Sequence, residues 1–211
     1  MTGIELLIGA SAIAGKDTFK KTVSSVNEAL SDKAKKFFNQ IKTERQIGKL
    51  YSQIAKVRKV KTLGQLDRAV DLYSFYCDSH VYLGKSRKKI TRISDFGTSE
   101  NILIEGVAGQ GKSIFLRYLC SAELVLGEYI PVFIELRKIG NGESLIENIL
   151  ETLKSYHLDL NEEVLREIAD SGRLLLLLDA FDELNQGAKK RILNEIEMLS
   201  NRHEKLRILI I

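Results

Sequence analysis

The stretch Glu105-Gly106-Val107-Ala108-Gly109-Gln110-Gly111-Lys112-Ser113 satisfies the phosphate-loop pattern G-x-x-x-x-G-K-S/T, with Gly106, Gly111, Lys112 and Ser113 at its fixed places. Each residue type has a physical reason to be there. Glycine reaches backbone conformations closed to other residues, so successive N–H groups can turn inward around an anion. The helix that starts at Lys112 adds the positive end of its dipole to the same spot. Lys112 has the reach to meet the outer phosphates of a nucleotide, and the Ser113 hydroxyl is placed to ligate Mg2+. Upstream, Asn101-Ile102-Leu103-Ile104 reads as a short buried strand. Downstream, Ile114, Phe115, Tyr118, Leu119, Ala122, Val125 and Leu126 recur at helical spacing. Strand, glycine loop and helix form the context the pattern needs. Gly106, Val107, Ala108, Gly109, Gln110, Gly111, Lys112, Ser113 and Ile114 are therefore the expected nucleotide contacts.

A second stretch answers the first. Arg173 is followed by five leucines, Leu174 to Leu178, and then by Asp179-Ala180-Phe181-Asp182-Glu183-Leu184. A continuous apolar run suits a central parallel strand buried on both faces. Carboxylates at the end of such a strand are costly unless they face a metal or a solvent-filled cleft. Asp179 stands in the Walker B position and is expected to hold Mg2+ directly or through water. Glu183 or Asp182 is expected to orient an attacking water, as the catalytic acid of the pair.

Together, Gly106–Ser113, the segment Tyr129-Ile130-Pro131-Val132-Phe133-Ile134-Glu135-Leu136-Arg137 and Leu174–Leu184 resemble the NACHT branch of the STAND P-loop NTPases, over roughly residues 96–211. That family's second acidic motif usually carries a glycine where this chain has Ala180. The resemblance implies an α/β fold, a P-loop NTPase parallel sheet flanked by helices, with the second strand outermost and the strand Leu206–Ile211 inserted beside the P-loop strand. It also implies ATP and Mg2+ as cofactors, nucleotide-driven conformational change, assembly into a homo-oligomer, and a role in antiviral (antiphage) or innate-immune defence in the cytoplasm. A fifth strand, a helical lid and a winged-helix domain usually follow in such proteins. On that basis the 211 residues are expected to bind nucleotide but to turn it over weakly, with Leu209 and Ile211 lacking part of their cover.

Composition sets the outer bounds. At 44% hydrophobic and 28% charged residues, the chain is ordinary globular material. Cys77 and Cys120 make no metal or disulfide framework, and reduced thiols in the cytoplasm are the simplest reading. His80, His157 and His203 show no ligand spacing. The apolar run Ile4–Ala14 is interrupted by Glu5 and preceded by no basic residue. It is too short for a membrane span and reads as a helix docking on its own protein or on a partner protomer.

Charge is uneven. Residues 1–95 carry 19 Lys and Arg against 9 Asp and Glu, whereas residues 96–211 carry 13 against 19. Such asymmetry suits either a solvated helix face or a nucleic-acid-binding arm, so a basic-armed P-loop ATPase acting on nucleic acid is the alternative function.

Before the phosphate loop, Phe19, Val23, Val26, Leu30, Phe37 and Ile41 fall on one helical face, and Ile47, Leu50, Ile54 and Val57 continue. Leu63, Leu66, Val70 and Tyr73 repeat the spacing. These patterns predict a small all-helical N-terminal module over residues 1–77, a connector over 78–100 and the NTPase domain over 101–211. Within the connector, His80-Val81-Tyr82-Leu83 is either an adenine-contacting segment, as the resemblance implies, or a linker strand on the domain edge. Pro131 predicts that the second strand lies at a sheet edge. Ser144-x-x-Glu147 is a capping box opening one helix. Val164–Ala169 and about Ala188 to Ser200 form two more.

Overall fold

The computed structural model describes residues 12–32, 34–35, 44–62, 65–97, 101–126, 128–140 and 142–211. The expectations for Ile4–Ala10, Phe37, Ile41 and Leu63 lie outside the described residues.

The leucine run forms the strand Leu174–Asp179 (β7), in which all six residues are buried. Burial on both faces is what such a run requires. β7 sits inside a four-stranded parallel sheet with Asn101–Leu103 (β5), Ile130–Glu135 (β6) and Arg207–Ile210 (β8), in the order β5-β8-β7-β6. β8 is inserted beside the P-loop strand, as the resemblance implies. β6 is at an edge, and Ile130 N–H donates to Arg173 O at 2.7 Å, towards β7. Because alternate residues face opposite sides of a strand, the missing donor of Pro131 falls on the free side, where it breaks no ladder bond.

Four helices complete the α/β unit: Lys112–Leu126 (α3), Leu145–Ser155 (α4), Glu162–Asp170 (α5) and Gln186–Arg202 (α6). The last three start with side-chain caps. Ser144 Oγ accepts from Glu147 N–H at 3.0 Å and Glu147 Oε2 accepts from Ser144 N–H at 2.9 Å, the reciprocal pair that the sequence predicts. Asn161 and Asn185 accept from Val164 N–H and Ala188 N–H in the same way.

The expected loss of cover at the end of the chain is not observed. Leu209 is 0% exposed and Ile211 4% exposed. β8 has neighbours on both sides, and Ile211 N–H donates to Leu178 O while Ile211 O accepts from Phe181 N–H. The exposed position is Leu103, at 63%, on the edge strand β5.

The N-terminal half is not all helical. Ala12–Ala29 (α1) and Glu44–Ile54 (α2) are helices, but Lys59–Thr62 (β1) and Gln65–Asp71 (β2) pair as an antiparallel hairpin where helical spacing predicted a further helix. Lys59-Val60-Lys61-Thr62 alternates charged and β-branched residues, a strand pattern. The register also sets Lys59 opposite Asp71 and Val60 opposite Val70, and Arg58 reaches Asp71 at 2.8 Å. Cross-strand charge pairing and β-branched packing outweigh the helical spacing of the leucines.

α1 and α2 pack closely: a Cβ on Gly15 would lie 2.8 Å from the Tyr51 hydroxyl, and Phe19 meets the Tyr51 ring edge-on at 6.0 Å. α1 also lies along α3, so Phe19, Val23 and Val26 share one core with Leu116 and Leu119. Ser31 N–H and Oγ both donate to the Glu167 carboxylate on α5, at 2.8 and 2.7 Å. A second hairpin, His80–Leu83 (β3) and Ser86–Lys89 (β4), precedes the P-loop strand. No described helix is long and apolar enough to cross a membrane.

Candidate nucleotide-binding site

The phosphate loop leaves β5 at Ile104, whose N–H donates to Ile210 O at 2.9 Å. Gly109 and Gly111 take φ of 83° and 80°, left-handed backbone that glycine adopts without steric cost. Gln110 folds back so that its Oε1 accepts from Val107 N–H at 2.9 Å, which closes the turn. A Cβ at Gly106 would lie 2.7 Å from Gln110 Oε1, so a side chain there would push the Gln110 amide off Val107. Lys112 and Ser113 open α3, so the loop amides and the positive end of that helix converge on one place.

Lys112 Nζ donates to Gly106 O at 2.8 Å and stands 3.7 Å from the Asp182 carboxylate. The Ser113 hydroxyl donates to Asp179 Oδ1 at 2.7 Å, joining the start of α3 to the carboxyl end of β7. Asp179 is 2% exposed. Burial pushes its carboxyl above the usual range, against the opposing pull of the Ser113 hydrogen bond and the Arg117 charge. A buried carboxylate of that kind needs a cation. These two oxygens fit Mg2+, which prefers one or two protein ligands plus phosphate oxygens and water.

The expected catalytic acids follow β7 in a tight turn. Ala180 takes φ of 63°, a left-handed conformation that explains why glycine is usual there. Asp182 and Glu183 both stand over the loop side of the sheet but have different partners. Asp182 faces Lys112, whereas Glu183 accepts from Arg137 Nη1 at 3.2 Å. Arg137 also reaches Glu135, which is paired with Arg117 at 2.6 Å and Lys138 at 3.1 Å. Burial acts to raise the Glu135 carboxyl, but Lys138, Arg117 and Arg137 together hold it below the usual carboxylate range. Glu135 and Asp179 are register partners at the ends of adjacent strands. Arg117, Glu135 and Arg137 escaped sequence reasoning as site residues. For Glu135 and Arg137, position at the carboxyl end of β6 was the available signal, since ligands of open α/β sheets bind there, whereas Arg117 lies within α3 and carried none.

A cleft of about 1010 Å3 runs from Gln110, Gly111 and Lys112 along Ile102–Glu105 to β3 and Asp78. His80-Val81-Tyr82-Leu83 therefore lines the same space as the phosphate loop, with Phe96 and Phe115 adding apolar surface. Phosphate loop at one end and apolar walls at the other make a site shaped for a nucleotide.

Residues 100–210 match the family profile of the NACHT domain. The chain belongs to the NACHT family. The matched segment spans the whole parallel sheet, the phosphate loop and both acidic residues at the end of β7. NACHT domains are nucleotide-binding P-loop NTPases of the STAND class, and the match includes Gly106–Ser113 and Asp179. Among curated proteins and among solved structures none matches the chain significantly.

Proposed function

We propose that the chain is an ATP- and Mg2+-binding signalling switch. The observation that carries this reading is the 2.7 Å bond between Ser113 Oγ and Asp179 Oδ1, beside Lys112. Ser113 and Asp179 would hold Mg2+, which neutralises charge on the β- and γ-phosphates when bound. Lys112 exchanges its loop carbonyl partners for the outer phosphates, and the amides of Gly109–Lys112 wrap them. Asp182, released from Lys112 by that exchange, turns to solvent. Glu183, steadied by Arg137, orients the water and accepts its proton, with Asp182 the second candidate for that role.

The switch reading is supported by what nucleotide contacts would join. Lys112 faces the turn after β7, the cleft's far wall is the β3–β4 hairpin, and α3 carries the N-terminal helices on its other side. Binding therefore acts on three parts of the molecule at once. We read the output as homo-oligomerisation in the cytoplasm, serving antiviral or innate-immune defence. Calorimetry with ATP in the presence and absence of Mg2+, followed by mass photometry with a non-hydrolysable analogue, tests both halves. No heat with wild-type protein rejects the nucleotide reading, and a monomer at saturating analogue rejects the assembly reading.

The positive balance of residues 1–95 supports a second reading, a P-loop ATPase acting on nucleic acid. Turnover stimulated many-fold by DNA or RNA, and lost steeply with added salt, would select it.

A further inference from the structure

Asp78 has no part in the mechanism above, yet it lines the cleft immediately before β3. Its Oδ2 receives Lys89 Nζ at 2.5 Å, whereas Oδ1 is out of water and has no hydrogen-bond partner. A buried carboxylate oxygen without a donor is expensive. Rotation about the terminal torsion of Asp is broad and two-fold. A turn about that torsion, with Lys89 following its oxygen, would bring the buried oxygen round to a donor in the cleft.

We propose that Asp78 selects the base of the bound nucleotide, taking adenine over guanine by accepting from the 6-amino group. This deepens, and rests on, the nucleotide reading of the cleft. The phosphate loop anchors the triphosphate at Gln110–Lys112, so the base extends towards the apolar wall of Val81, Ile102 and Phe96, where Asp78 stands. A carboxylate could instead recognise guanine, but that takes both oxygens, one for N1–H and one for the 2-amino group. Here Lys89 occupies one of them. The single remaining acceptor matches the single exocyclic amine of adenine. Guanine in the same pose presents its 6-oxo group, acceptor against acceptor, and a site that leaves a buried polar group unpaired discriminates strongly.

The test compares the affinity of the full chain for ATP, GTP, purine riboside triphosphate (hydrogen in place of the 6-amino group) and inorganic tripolyphosphate. Wild type is expected to hold ATP at least about tenfold tighter than GTP or the purine analogue, the ratio one charge-assisted hydrogen bond supports. Asp78→Ala is expected to shrink that advantage below about threefold while tripolyphosphate binds as before. Lys89→Met breaks the same ion pair but leaves the acceptor, so ATP affinity should hold within about twofold while GTP, offered both oxygens, gains. Should Asp78→Ala not bind tripolyphosphate, Asp78→Asn replaces it. Its amide can donate to the guanine 6-oxo group, so GTP should gain on ATP.

An unchanged ratio in Asp78→Ala or Asp78→Asn overturns the assignment alone. So does an equal loss of ATP affinity in Lys89→Met, which would make Asp78 a mere brace for the hairpin. Wild type that binds neither ATP nor tripolyphosphate overturns the nucleotide reading, and this assignment with it.

Discussion

Arg137 donates to Glu183 Oε2 at 3.2 Å and to Glu135 Oε2 at 3.3 Å, so one guanidinium ties the end of β6 to the acid that follows β7. The carboxylate proposed to orient a water is thus held from a neighbouring strand. Arg137→Ala should slow ATP hydrolysis roughly tenfold by loosening Glu183, within the range that misplacing a catalytic group costs. ATP affinity should stay within about twofold. Single-turnover phosphate release beside equilibrium binding separates the two, and unchanged turnover would remove Arg137 from the mechanism.

Glu183→Gln should bind ATP normally and hydrolyse it about 10²–10³ times more slowly, because an amide does not take a proton from water. Asp182→Asn is the comparison. If the Asp182 variant is the slower of the two, the acids have exchanged roles, and Lys112 rather than Arg137 orients the active one.

Lys112→Ala should abolish measurable ATP binding, since the outer phosphates lose their charge-assisted bonds. Ser113→Ala should weaken binding in Mg2+ far more than in EDTA. The hydroxyl's present partner is Asp179, and both oxygens belong to the proposed metal site. Equal losses with and without metal would count against that site.

Ala180 at φ 63° carries strain that a glycine would not. Left-handed backbone costs an alanine about 1–2 kcal/mol, and glycine's extra freedom in the unfolded chain offsets part of this. Ala180→Gly should therefore stabilise by about 0.5–1 kcal/mol, and Ala180→Val should destabilise by more than 1 kcal/mol. Urea titration of the three proteins measures both shifts, and a glycine variant less stable than wild type would contradict the argument.

Glu123 on α3 gives the chain a built-in pH dependence. It is 0% exposed and accepts from Ile93 N–H at 2.8 Å, while its second oxygen has no partner. Burial pushes its carboxyl up to about 7; the Ile93 bond, Arg92 and Arg207 pull it down and Glu128 pushes it further up. The folded protein thus holds a proton that the unfolded chain releases near 4.5. Stability from this group is full below that value, falls as pH rises to about 7, and is flat above. The loss is on the order of 3 kcal/mol. Glu123→Gln, which keeps the acceptor without the charge, should be more stable than wild type at pH 8 and should flatten the profile between pH 5 and 7. Parallel pH profiles would show that Glu123 does not titrate in this range.

The glycine turn and the leucine strand were legible because their chemistry is local, whereas the place of β8 beside β5 came from the family resemblance. Gly109 and Gly111 must turn left-handed, Ser113 must follow Lys112, and five leucines have nowhere to go but a buried strand. The β1–β2 hairpin was not legible because Leu66, Val70 and Tyr73 satisfy a helical period, while what decides the matter is the cross-strand approach of Lys59 and Arg58 to Asp71. Arg137 and Asp78 are harder still. Each acts on a residue distant in sequence or on a space walled by several elements, and neither belongs to a spaced pattern.

Pro131 leaves the sheet with one finished side and one open side. A strand approaching β6 would meet a ring where it needs a donor, whereas β5 carries its outer backbone groups unpaired by any described strand. Growth of this sheet is therefore directional. Backbone that joins it, from this polypeptide or another, finds an unbroken row of partners along β5, next to the proposed phosphate loop. Such a strand would sense whether that loop is occupied.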